Sequence, residues 1–177
     1  MRKLLRKITA VVSAAAVALA GVNFGGIGGL TAAAETVGAF TVTGGTLGTD
    51  YTYTGGVLTI KTDTPITISG ETTTDTIVVE KNKNANITLD GVNINVSSAA
   101  FKIADDSTGT VTVTLKDGTV NTLTSGTDCA GLQKNGTNGK LIIQCESSGT
   151  EGHSCDANCG KLTANGSSSG AGIGGGI

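Results

Sequence analysis

The amino-acid sequence predicts an all-β chain wound into a right-handed parallel β-helix, and three observations carry that expectation. Among 177 residues Thr occurs 29 times and Gly 28 times, with one Pro and no Trp; β-branched residues favour strands and Gly disfavours helices. Short alternating apolar segments, each followed by Gly, Asn or Asp, occupy residues 57–60, 66–68, 87–89, 113–115 and 141–143. From Ile66 these segments return at Ile87, Val113 and Leu141, in steps of 21, 26 and 28 residues. A loose period of that length suits one solenoid coil of three short strands.

Residues 1–34 read as a secretory signal peptide. Arg2, Lys3, Arg6 and Lys7 form a basic head, residues 8–20 an apolar run, and Thr31-Ala32-Ala33-Ala34 a small-residue cleavage site before Glu35. The apolar run is too short for a comfortable membrane crossing, so no membrane span is expected after cleavage, and the head looks bacterial. Residues 35–54 are expected to form an N-terminal strand or cap region, and residues 55–177 the coils. Within the coils the turns Ser69-Gly70, Asp90-Gly91 and Asp117-Gly118 look alike, and second strands follow at residues 92–96 and 120–123. A third block recurs as Ser98-Ala99-Ala100-Phe101, Cys129-Ala130-Gly131-Leu132 and Gly170-Ala171-Gly172-Ile173.

Stacked at about 4.8 Å per coil, such units turn Val, Ile, Leu and Ala inward and Thr, Asn, Ser and Lys outward. An antiparallel β-sandwich, which also has short strands at regular spacing, is the alternative. The last residues, 170–177, stop inside a repeat block without a polar cap. The expectation drawn from this is truncation, with further coils or domains beyond Ile177.

Charge narrows the partners. The signal segment takes four of the 12 basic residues and leaves eight, all Lys, against 14 acidic ones, a net charge of about −6. A chain without Arg in its mature part, and acidic overall, is a poor match for phosphate backbones, so nucleic acid is excluded as a partner.

The run Ile87-Thr88-Leu89-Asp90-Gly91-Val92-Asn93-Ile94, with residues 100–103, 129–133, 155–160 and 170–175, resembles the secreted carbohydrate-binding domain-containing proteins, whose fold is a pectate-lyase-like right-handed β-helix. The similarity covers roughly residues 55–177. The resemblance implies an extracellular or cell-surface module without catalysis that binds acidic plant polysaccharide such as polygalacturonate, with calcium assisting. An adhesin-like spacer and a truncated polysaccharide lyase or hydrolase are the competing readings.

The residues themselves offer little catalytic apparatus. A β-helical lyase draws on a basic side chain, usually Arg, and a glycosidase on a spaced carboxylate pair; the adjacent acidic pair Asp105-Asp106 precedes Ser107-Thr108-Gly109 and reads as a turn. No enzymatic activity is expected. Calcium takes six to eight oxygen ligands, and Asp90, Asp105, Asp106 and Asp117 are candidates because corners of successive coils can align their carboxylates. For glycan contact the candidates are Tyr51 and Tyr53, which alternate with Thr and so share one strand face, and the lysines Lys61, Lys81, Lys83 and Lys102, which could pair with uronates.

The four cysteines, Cys129, Cys145, Cys155 and Cys159, all fall in the C-terminal third. An even set in an exported chain favours disulfides, whose three possible pairings the sequence does not separate. The alternative is zinc held by Cys145, His153, Cys155 and Cys159, because those donors suit it.

Overall fold

Two sheets hold nearly every buried apolar side chain among the described residues, with no α-helix between them. The computed structural model describes residues 33–149, 151 and 153–176; the expected signal peptide therefore lies, but for Ala33 and Ala34, outside the described residues. Among the described residues fourteen strands follow one another: β1 (Glu35–Val37), β2 (Phe40–Thr43), β3 (Tyr51–Thr54), β4 (Val57–Ile60), β5 (Ile66–Thr72), β6 (Thr76–Val79), β7 (Asn86–Asn95), β8 (Phe101–Ile103), β9 (Thr110–Leu115), β10 (Val120–Thr124), β11 (Leu132–Lys134), β12 (Lys140–Cys145), β13 (Lys161–Asn165) and β14 (Ile173–Gly174). Among the described residues the one helical element is a 3₁₀ turn, Glu146–Gly149, and no helix is long and apolar enough to cross a membrane.

Both sheets are mixed. At the N-terminal end β1 pairs antiparallel with β2, β2 with β5, and β3 with β4. The β3–β4 hairpin closes through Gly55 and Gly56, whose φ values of 58° and 80° are those a two-residue primed turn demands and side chains resist. Beyond β5 every pairing is parallel. In one sheet Ile66 and Ile68 lie beside Ile87 and Leu89, these beside Val113 and Leu115, and these beside Ile143 and Cys145. Further along the same sheet Glu71 meets Asn93, then Thr122, then Thr163. The second sheet aligns β4, β6, β8, β11 and β14 in order, with Leu58, Ile77, Phe101, Leu132 and Ile173 in one column.

This register explains the alternating apolar pattern. Side chains two apart point the same way, so Ile87 and Leu89 face inward while Thr88 is only partly covered, and Val92 and Ile94 face inward while Asn93 and Asn95 are exposed. Phe40, Leu58, Ile60, Ile77, Val79, Phe101, Val113 and Leu123 share one continuous core. Each such side chain, fully buried, contributes about 1.5–3 kcal/mol of hydrophobic free energy. Coverage falls towards the C-terminal strands: Leu141, Ile143 and Leu162 are partly buried, and Ile173 is 47% exposed.

A polar side chain, Asn121, sits wholly inside. Asn121 is 0% exposed; its Oδ1 accepts from Val92 N at 2.8 Å and its Nδ2 donates to Lys161 O at 3.2 Å. It thus ties three successive passes of the chain through one amide, each of whose groups is satisfied as burial requires. Ser125 joins two passes nearby, accepting from Ala100 N and donating to Ala130 O five residues further along its own pass, both at 2.8 Å.

One corner of the sheet grows with each pass. Between the column of Ile68, Leu89, Leu115 and Cys145 and that of Glu71, Asn93, Thr122 and Thr163, the chain runs through Ser69-Gly70 at the first pass and Asp90-Gly91-Val92 at the second. At the third it inserts residues 116–121, and at the fourth residues 146–162.

Candidate functional site

Several surfaces among the described residues carry functional groups. The first is the outward face of β5, β7, β10 and β13. Glu71, Thr72, Thr73, Asn93 and Asn95 line a shallow cavity of about 390 Å³, and the row continues in register through Thr122 and Thr163, and from Asn95 through Thr124 to Asn165. Asn165 Nδ2 donates to Thr124 Oγ1 at 3.1 Å. Amides and hydroxyls repeated at strand spacing offer both donors and acceptors, as an array of sugar hydroxyls requires. The sequence signal for this face is the alternation Val92-Asn93-Ile94-Asn95-Val96, which marks a strand with its Asn side chains outward but not a row of them in register across strands.

A second cavity, about 320 Å³, lies over the other sheet and is lined by Thr76, Val78, Ser98, Ala99, Lys102, Cys129 and Gln133. Of the expected lysines, Lys102 is here, with its Nζ 2.9 Å from Asp105 Oδ2. Lys83 lies 3.5 Å from Glu80, and Lys81 is exposed. Lys61 follows β4 directly, and Lys81 and Lys83 belong to the turn after β6.

The tyrosines are placed differently from the sugar platforms expected of them. Tyr51 is 1% exposed and its hydroxyl donates to Glu35 Oε2 at 2.9 Å; burial, and then this carboxylate, push its phenol up to about 12. Tyr53 donates to Asp75 Oδ2 at 2.7 Å, and that hydrogen bond raises its own pKa above the ordinary value. Burial pushes the Asp75 carboxyl up, but hydrogen bonds from Tyr53, the Ala39 amide and Thr74 outweigh it and hold the group below the usual carboxylate range. Gly38 owes its lack of a side chain to this network, since a Cβ there would lie 2.1 Å from Tyr53 Oη. With their hydroxyls turned to these carboxylates, the two rings brace the N-terminal hairpins.

The aspartates named for calcium divide between two corners. Lys116 Nζ pairs with Asp90 Oδ2 at 2.6 Å, and this contact raises the lysine pKa. Asp117 lies at the same corner one pass later; its amide donates to Glu146 Oε2 at 3.2 Å, while its Oδ1 is buried without a partner. Asp105 is held by Lys102, and Asp106 takes a positive φ of 53° in the turn. Among the described residues, no cluster of three or more donor side chains includes any of the four.

Such a cluster does form from the cysteines. Cys145 ends β12 at the position in register with Leu115, so it closes an inward column whose earlier members are Ile68, Leu89 and Leu115. The chain then leaves the sheet and brings back His153, Cys155 and Cys159. His153 Nε2 is 3.0 Å from Cys145 Sγ and 3.5 Å from Cys159 Sγ, and Cys145 and Cys155 sulfurs are 4.0 Å apart. Hydrogen bonding to the Cys159 and Cys145 sulfurs pushes the Cys155 thiol up to about 11. All four cysteines are free thiols in the structure, the disulfides expected from the sequence are not formed in it, and Cys129 stands apart on the second cavity.

Set against known proteins, residues 54–148 match a family model described as "Carbohydrate-binding domain-containing protein". No curated protein and no solved structure matches the chain.

Proposed function

Because the chain belongs to the family of carbohydrate-binding domain-containing proteins, we propose that it is an exported, non-catalytic module that holds a polysaccharide along the polar outer face of its sheet. The observation that carries this reading is the in-register row of Asn93, Asn95, Thr122, Thr124, Thr163 and Asn165. A polymer laid across the strands meets the same kinds of group at each step, so weak hydrogen bonds of about 0.5–1.5 kcal/mol each add along its length. The ladders are the faces of a right-handed parallel β-helix on this reading, since the chain visits each in turn and parallel crossovers are overwhelmingly right-handed. The basic, apolar and small-residue segments of residues 1–34 support export to the extracellular space or a bacterial cell surface. The pairing of Asp90 and Asp105 with lysines supports a role without acid–base chemistry.

The proposed ligand is an acidic glycan. The net charge of about −6 left after residue 34 repels such a polymer unless a cation lies between them, and calcium, an oxygen-seeking ion, fills that place. Glu71 on the cavity rim offers it a carboxylate.

Affinity chromatography on immobilised polygalacturonate and on a neutral plant glycan, with and without a calcium chelator, tests this. Retention on polygalacturonate that chelator abolishes is the expected result. Chelator-insensitive retention on the neutral glycan would confine the reading to hydroxyl recognition, and no retention on either would overturn it. The Asn93→Ala/Asn95→Ala double variant should bind about tenfold more weakly, the loss of two such hydrogen bonds.

A further inference from the structure

We propose that Cys145, His153, Cys155 and Cys159 bind one zinc ion, which pins the excursion between β12 and β13 to the sheet. The four donor atoms lie within 4.8 Å of one another, a spread that one ion can span. Zinc sits about 2.3 Å from sulfur and about 2.0–2.1 Å from imidazole nitrogen in tetrahedral sites, which places ligand sulfurs about 3.8 Å apart and sulfur about 3.5 Å from nitrogen. The corresponding separations here are 4.0 Å between the Cys145 and Cys155 sulfurs, and 3.0 and 3.5 Å from His153 Nε2 to Cys145 and Cys159.

The surroundings hold the donors in place before any ion arrives. Cys145 is fixed by its ladder to Leu115. Cys159 is set by a tight turn in which its amide donates to Asp156 O at 3.3 Å, and the Asp156 amide donates to Cys159 Sγ at 3.4 Å. An N–H aimed at a sulfur supports the thiolate that a metal needs, as outer hydrogen bonds do in metal sites. Gly160 follows directly, and a Cβ there would come within 2.5 Å of Lys116 O; only glycine lets the chain re-enter the sheet so close to the preceding pass.

A disulfide leaves this arrangement unexplained. It joins two sulfurs at about 2.05 Å, and would leave a third thiol and an imidazole converging on the same point for no purpose. Three sulfurs and one nitrogen together fill all four positions of a closed, structural zinc site, with none left open for a substrate.

The test uses the full chain purified with thiols reduced and with zinc supplied. Elemental analysis should find one zinc per chain, and cobalt in its place should give the strong visible bands of a tetrahedral thiolate site. Cys159→Ser and His153→Ala should each lower zinc affinity at least tenfold, while Cys129→Ser should retain a full equivalent and His153→Cys should restore it. Circular dichroism of each variant separates loss of ligation from loss of fold, and the cobalt spectrum of the unaltered chain stands without any variant. The proposal is overturned if the reduced chain takes up no zinc, if iron or copper fills the site instead, or if peptide mapping of the exported protein finds Cys145, Cys155 or Cys159 in a disulfide.

Discussion

The parallel ladders and the excursion at residues 146–160 are ordered by opposite means. In the ladders, side chains such as Ile77, Phe101 and Val113 are wholly buried, and position follows from the apolar area removed from water. The excursion contains no Val, Leu, Ile or Phe. Apart from hydrogen bonds such as Gly118 N to Asn158 O at 2.6 Å, its organising contacts are those among sulfurs and one imidazole. Where a segment cannot bury apolar surface, a few strong directional groups do the work of many weak ones. The two meet at Cys145, which belongs to the inward column and to the cluster alike.

Perturbing the ladders should leave the excursion's donors intact, and the size of the effect should follow burial. Phe101→Ala is expected to have the largest effect, lowering stability by about 3–5 kcal/mol, because a buried ring is lost and the core around it collapses only in part; urea denaturation followed by circular dichroism measures it. Asn121→Ala comes next, at about 2–3 kcal/mol by the same measurement, since it strands the Val92 N–H and the Lys161 carbonyl in the interior. An effect of Asn121→Ala near zero would mean that water replaces the amide and that this part of the interior is not dry.

The smallest effect is confined to alkaline solution. Tyr51 has a folded-state pKa of about 12, raised from 10. Below pH 10 its phenol is neutral in both folded and unfolded chains, and its contribution to stability is complete. Between pH 10 and 12 the unfolded phenol ionises while the folded one does not, so stability falls through that window. Tyr53, raised in the same direction by Asp75, adds to the slope. Denaturation midpoints measured across the window should fall less steeply in Tyr51→Phe, and the ultraviolet absorbance of tyrosinate in the folded chain should rise late.

Much of this architecture was legible in the sequence because it is periodic. The alternation in residues 87–89 and 92–96 marks which side chains turn inward, and the repeated Asp-Gly and Ser-Gly pairs mark one corner. Tyr51 and Tyr53 were legible as neighbours on a strand but not as bracing groups. Their partners, Glu35 and Asp75, lie 16 and 22 residues away, and only the hairpins bring them close. The cysteine cluster shows the same limit. Residue types and spacing named its members, yet a loop has no period, and what places Cys145 opposite the other donors is the register of β12 on β9. The polar face was hidden for another reason: Asn and Thr abound throughout the chain, so those that line up across strands are visible only once the strands are paired.

The corner that lengthens from Ser69-Gly70 to residues 146–162 shows how this scaffold accepts new material. Its added residues interrupt no inward column, and at Gly118, the middle of the third pass, a side chain would meet open space. Lengthening this corner therefore leaves the ladders on either side of it in register, and the interior needs no repacking to carry the longer loop.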